Sequence, residues 1–297
     1  MRVRHAIGAA LAAGIIGALM VIALTVPQPR AAATTEPVAA RAAPLAAVPH
    51  RPRRHRHTVV LLRVPANPVD RFVRVPVLMY HRVTAAHLVS TTEQEFTVRP
   101  ADFAAQMDWL QHNGYTPIRE AQLLRALVDG ARLPAHPVLI TFDDGYVDAV
   151  HAILHTLVTR TRRFPATFFV ITGRIGRGQF VSWRDLRILE HSGMDIGSHT
   201  VWHTHLAQVG PVAQRFEVTH SAQTLARGLG HPIYWFSYPF GSLDPSATAA
   251  VGAAGYLLAY TTQPGTWLST GQHLVLPRVL VPGNVTLAQF ANDVRFG

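Results

Sequence analysis

From about Arg71 onward the chain alternates short, wholly apolar runs with amphipathic stretches, and that alternation limits the folds open to it. A strand that is apolar on both faces must be covered on both faces, so such runs belong to a parallel sheet or barrel wrapped in helices. The runs "VPVLMYH", "HPVLITFDDG", "PATFFVITG", "MDIGSHT", "IYWFSYPFG", "YLLAYTT" and "LPRVLV" read as the strands. Between them, "RPADFAAQMDWLQHNGY" has apolar residues at 103, 107 and 110, Pro100 at its start and Gly114 past its end, which is the punctuation of a helix. A second helix is "EAQLLRALVDG", a third follows "FDDG" through about Thr161, and a fourth is "SWRDLRILEHSG" with Ser182 as its N-cap. Further helical segments are expected over about 211–229 and 245–254. The fold class is α/β.

The chain of 297 residues is organised in three parts. Residues 1–26 hold Arg2 and Arg4 and then an apolar run from Ala6 to Val26. As a helix that run would cover roughly 31 Å, about one hydrocarbon core. We read it as an export signal or an uncleaved membrane anchor, which puts the remainder outside the cytoplasm. Residues 27–70 are a Pro-, Ala- and Arg-rich linker with the basic run "HRPRRHRH". Residues 71–297 are expected to form a single α/β domain. The net charge of +10 sits mostly in the first 70 residues, where nine Arg face only Glu36 and Asp70. The folded part therefore lacks the footprint of a nucleic-acid binder. There is no Cys, so a metal would have to be held by His and carboxylates.

In helix-wrapped parallel folds, reactive groups collect at the carboxyl ends of the strands. Three clusters lie there: Asp143–Asp144, "GSHTVWHTHL" and "FSYPFG". His199 and His203 are four apart, which puts two imidazoles on one face of a turn. With a carboxylate from elsewhere they would make a two-His, one-carboxylate metal site with open positions. A divalent cation would also offset the crowding of Asp143 and Asp144, leaving one aspartate as ligand and the other as base. Neighbours on a straight strand face opposite ways, so that division requires the chain to turn, and Gly145 is the expected pivot.

"TFDDG", "HTVWH" and "YPFG", in this order, resemble the motifs of the polysaccharide deacetylases of carbohydrate esterase family 4, the NodB-homology domain. The resemblance runs from about residue 73 to 290. It implies a distorted (β/α) barrel and metal-dependent removal of acetyl groups from sugars, most often from N-acetylglucosamine. Carried over position by position, Asp144, His199 and His203 match the metal ligands and Asp143 the general base. Thr200 matches the hydroxyl that shapes the second motif, and the amide of Phe240 an oxyanion donor. The implied cofactor is a divalent metal ion, Zn²⁺ first, with Co²⁺ or Ni²⁺ as alternatives. The implied partner is an acetylated polysaccharide.

The sequence departs from the family pattern in three places. Ser237 stands where the third motif has an Arg, no D-x-D-W motif is visible, and His273 in "GQHLVLP" is a poor match to the fifth motif. "VPVLMYHRV" and "YTTQPG" resemble a subgroup with rearranged motifs that includes the deacetylases of poly-β-1,6-N-acetylglucosamine. By that likeness His81 is the general acid in preference to His273. Arg278 is either a stand-in for the missing Arg or part of a surface ion pair, and it is counted among the substrate-binding candidates. Trp202, Tyr238 and Trp267 are candidates for stacking on sugar rings, with core packing as the default for aromatic residues. His205 is expected to support the metal site, not to ligate. The alternative function is a catalytically impaired relative that binds polysaccharide.

Overall fold

The computed structural model describes residues 64–65, 68–85, 91–160 and 164–297. The signal or anchor and most of the linker lie outside the described residues. Among those described, no helix is long and apolar enough to cross a membrane.

Seven parallel strands close into a barrel: β1 (Val77–Tyr80), β2 (Pro137–Phe142), β3 (Thr167–Val170), β4 (Asp195–Ser198), β5 (Trp235–Ser237), β6 (Leu258–Pro264) and β7 (Leu276–Leu280). Each pairs with the next in the chain, and β2 and β7 both pair with β1, which completes the ring. The order is that of the seven apolar runs, and the (β/α) barrel is the expected architecture. Around it lie α1 (Pro100–His112), α2 (Glu120–Asp129), α3 (Val147–Ala152), α4 (Trp183–His191), α5 (Pro211–Leu229), α6 (Pro245–Ala253) and α7 (Leu287–Phe296). In α4, Ser182 is the N-cap that the sequence suggests, and with Asp185 it closes a capping box. The α7 helix was not foreseen. Its signal is Thr286 with Gln289, a second capping box three residues apart.

Strand parity sorts the side chains. In β2, Val138, Ile140 and Phe142 join the core under the helices, whereas Leu139 joins Val77, Phe169, Leu258, Tyr260 and Leu276 in a second cluster that fills the barrel. Continuing the same alternation, Thr141, Asp143, Ser237 and Arg278 fall on interior positions, and Phe236 and Tyr238 face the helices.

The barrel also buries Glu120, the first residue of α2, which accepts hydrogen bonds from Thr167 Oγ1 at 2.8 Å and from the Tyr260 hydroxyl. Burial pushes this carboxyl up to about 8, against the pull of those two donors. A group bound to its proton in the folded state but not in the unfolded one weakens the fold as pH rises between the two pKa values. Stability should therefore fall from about pH 4.5 toward pH 8 through this residue. Glu120→Gln, which keeps an acceptor and carries no charge, should flatten that slope in melting temperature. An unchanged slope would remove Glu120 as its source.

Candidate active site

The site lies at the carboxyl mouth of the barrel, and its backbone is unusual. Among the described residues, the non-Gly residues with positive φ are Asp144, Thr200, His203 and Phe240, and all four are candidate site residues. Left-handed backbone at ordinary residues is costly and persists where the surroundings impose it. The turn after β2 begins at Asp144 itself (φ 71°), one residue before the expected pivot, and continues through Gly145 (φ 81°). Glycine suits position 145, where a side chain would be strained and its Cβ would lie 3.3 Å from Val170 Cγ1. Asp143 keeps strand geometry, with its N–H donated to Tyr80 O at 2.9 Å, so its carboxylate enters the barrel while Asp144 swings onto the rim.

Asp144, His199 and His203 converge, with one ligand atom from each lying within 4.8 Å of the others. Asp144 Oδ1 is 3.1 Å from His203 Nε2 and 3.4 Å from His199 Nε2. His199 Nδ1 is 2.7 Å from the carbonyl of Ser237, which can only accept, so Nδ1 carries the ring hydrogen and Nε2 of the neutral ring is a bare lone pair. Asp144 Oδ1 is buried and has no hydrogen-bond partner. A lone pair turned toward a carboxylate oxygen is repulsive unless a cation stands between them. The donor set, two imidazoles and one carboxylate, fits a divalent metal, and the Ser237 carbonyl supplies the outer hydrogen bond that orients such a ligand. Burial lowers the pKa of His203.

The loop carrying the two histidines is held from below. Glu217 of α5, buried, accepts from the N–H groups of Val201 (2.8 Å) and Trp202 (2.9 Å), and Thr200 Oγ1 accepts from His203 N at 3.0 Å. Nothing in the sequence pointed to Glu217, since a lone Glu on a helix has no motif.

Asp143 forms the other half of the site. Arg278 donates to both of its oxygens, at 2.8 and 2.6 Å, and also to Thr141 Oγ1, Ser237 Oγ and the Thr261 carbonyl. Every guanidinium hydrogen is thereby used. Ser237 Oγ adds a 3.1 Å bond to Asp143 Oδ2. Burial alone would raise this carboxyl, but the Arg278 charge and hydrogen bonds outweigh it and bring the pKa down to about 2. Arg278 is buried from solvent and cannot touch a substrate, so its expected place among the substrate contacts is corrected. It lies instead against Asp143, in a buried ion pair that Ser237 Oγ also joins.

His81 follows β1 and lies half-buried against Phe96, ring centroids 4.7 Å apart. Its Nδ1 is buried without a partner. Burial lowers its pKa more than the Asp143 and Asp144 carboxylates raise it. His273, by contrast, sits at the amino end of the barrel. Its Nδ1 meets Thr270 O at 2.9 Å and its carbonyl accepts from Ala259 at the start of β6.

The aromatic candidates separate. Trp202 is 52% exposed next to His203. Tyr238 is a second correction: parity turns it outward, where it is buried edge-on against Phe236, and no sugar can reach it. Trp267 is exposed but pairs with Arg74 on the chain entering β1, at the amino end. Phe240, 53% exposed, lays its ring against His203 (4.3 Å) and stacks on His205 (3.7 Å, 7°). His205 thus supports Phe240 and does not join the three-residue cluster.

The mouth of the parallel barrel thus brings together two buried, differently partnered aspartates, and comparison with known proteins indicates the chemistry they serve. Residues 130–259 match the family model described as polysaccharide deacetylase. YxkH of Bacillus subtilis (strain 168) is 28% identical over 196 residues, covering 66% of this chain and 67% of its own length. The poly-β-1,6-N-acetyl-D-glucosamine N-deacetylase of Escherichia coli (strain K12) is 25% identical over 246 residues, covering 68% of this chain but 36% of that protein. The solved structure of Streptococcus pyogenes deacetylase PplD in complex with acetate superposes with a TM-score of 0.66 at 25% identity, covering 75% of this chain and 98% of that one. The chain is thus similar to the polysaccharide deacetylases over residues 130–259, and its enzyme class is that of the carbohydrate deacetylases.

Proposed function

We propose that the protein is a metal-dependent N-deacetylase of N-acetylglucosamine units in a cell-surface or extracellular polymer, exported and tethered or released by its N-terminal segment. The observation that carries this reading is the adjacency of two dissimilar carboxylates. Asp144 faces two imidazoles, and Asp143 is locked by Arg278. A polysaccharide binder has no need of a base fixed in that way. The likeness to the Escherichia coli N-deacetylase favours N-acetylglucosamine over other acetylated sugars.

Asp144, His199 and His203 would hold the cation, which we take to be Zn²⁺, and which supplies the Lewis acidity that makes water nucleophilic at neutral pH. Asp143 accepts a proton from the water as its oxygen attacks the acetyl carbonyl carbon. The amide N–H of Phe240 stabilises the negative charge that develops on the carbonyl oxygen. The C–N bond then breaks, and His81 in its protonated form gives its proton to the leaving nitrogen. Its lowered pKa makes it a stronger acid once charged. The carboxylic acid gives its remaining proton to the freed amine, so acetate and the ammonium form depart, and the proton on Asp143 is returned through solvent to His81.

Acetate release from poly-β-1,6-N-acetylglucosamine or chitin oligomers tests the reading. Chelation should abolish release and Zn²⁺ or Co²⁺ should restore it. His199→Ala and His203→Ala should each lower bound zinc, measured directly. Full activity after exhaustive chelation would overturn the metal assignment, and His81→Ala with undiminished release would overturn the acid.

A further inference from the structure

The segment from 171 to 182, between β3 and α4, forms one wall of the mouth. It is tied on one side to the histidine loop, by Thr172 N to Thr200 O (3.1 Å) and Gly173 N to Val201 O (2.9 Å). On the other side it is tied to the chain after Asp144, by Val181 N to Gly145 O (2.9 Å), Val147 N to Gln179 O (2.8 Å) and a bridge between Tyr146 and Phe180. The wall is therefore fixed by the same two segments that present the metal ligands.

Its side chains form a layered array of rings and guanidinium groups. Arg82 lies 4.7 Å from the Tyr146 ring centroid, Tyr146 stacks on Phe180 at 5.1 Å, and Arg174 covers Phe180 at 4.9 Å. Further along, Arg177 is 6.0 Å from the centre of Trp202. Trp202 is pressed flat on Gly173, where a Cβ would come within 2.5 Å of the ring. The three arginines are not equivalent. Arg82 is neutralised by Asp148 at 2.6 Å and Glu93 at 3.5 Å. Arg174 and Arg177 have no carboxylate partner among the described residues. Arg174 is half-buried and close enough to the cluster to disfavour charge on His203. Arg177 is exposed.

Two uncompensated guanidinium groups flanking a half-exposed tryptophan match a sugar ring that carries an anion. The planar forks suit a carboxylate, and the indole face suits the ring. We infer that residues 171–182 select N-acetylated glycans bearing carboxylate groups beside the sugar to be cut, with Arg174 and Arg177 as the specificity-determining residues. This inference rests on the deacetylase reading above and narrows its substrate class. A neutral polymer would leave both arginines without a partner.

The test compares acetate release from carboxymethyl chitin and glycol chitin, which are anionic and neutral soluble forms of one polymer. At low ionic strength the wild-type kcat/KM should be about fivefold higher on the anionic form, through KM, as expected for two partly exposed ion pairs. The preference should shrink toward unity at on the order of 0.5 M salt. The double variant R174Q/R177Q should bring the ratio near one, and R174K/R177K should retain much of it. If the glutamine pair compromises folding, Arg177→Gln alone, at an exposed position, should still lower the ratio. Equal rates on the two polymers in the wild type, or a preference that survives R174Q/R177Q, would overturn the inference while leaving the deacetylase reading intact. No acetate from either polymer would overturn the deacetylase reading itself.

Discussion

Asp143→Asn should lose at least about 100-fold in kcat for acetate release while still binding added zinc, because removal of a positioned general base costs on the order of 10²–10⁴ in rate. The bound zinc is the informative half of the result. Asp143 makes no approach to His199 or His203 comparable with that of Asp144, which is 3.1 Å from His203 Nε2. Loss of activity with metal in place would separate the two aspartates by function. The variant should also be less stable. An Asn amide turned toward Arg278 would oppose donor to donor, and the arginine would stay buried with its charge uncompensated. Activity must therefore be referred to folded protein, with zinc content and circular dichroism measured on the same sample. Undiminished release would mean that another group takes the proton.

Arg278→Gln should be the more destructive change for the fold, costing about 3 kcal/mol or more, because it strands a buried carboxylate. It should also move a pH profile. In the wild type Asp143 has its pKa depressed to about 2, so it is ionised at all working pH values and does not set the acid limb of kcat/KM. The same depression stabilises the fold above about pH 4, and that contribution is lost as pH falls from about 4 through about 2. Without the guanidinium, burial becomes the dominant influence and raises the Asp143 pKa above the ordinary range. Activity of the variant should then fall off at a higher pH than in the wild type, and stability should lose its acid transition near pH 2–4. An acid limb that does not move would show that Arg278 supports the fold but does not tune the base.

The barrel was legible because a strand covered on both faces leaves an apolar run, and seven such runs stand in the sequence in the order of seven strands. The chemistry was legible where it is local. Asp143–Asp144 and His199–His203 announce themselves by spacing alone. What escaped depends on parity and register between distant segments. Arg278 is 135 residues from Asp143, and only the pairing of β7 with β1 and of β1 with β2 brings it beneath that carboxylate. The alternation in "LPRVLV" does put Arg278 on the same face as Leu276, inside the barrel, so a strict reading of parity would have excluded a substrate contact. The same reading excludes Tyr238, which follows the inward Ser237 and must point outward. The turn at Asp144 was placed one residue late because glycine is the residue that favours positive φ, and here the aspartate adopts it too.

The left-handed backbone at Asp144, Thr200, His203 and Phe240 bears on how this protein would respond to directed evolution. Each such residue holds on the order of 1–3 kcal/mol of unfavourable local conformation. Glycine would relieve it at no steric cost. A screen that rewards heat resistance alone should accordingly enrich glycine at these positions, Phe240 above all, since its ring is half in solvent and gives up the least packing. Variants recovered that way would melt later and turn over more slowly. Thermostabilisation of this chain should start from its helices and hold the four mouth residues fixed.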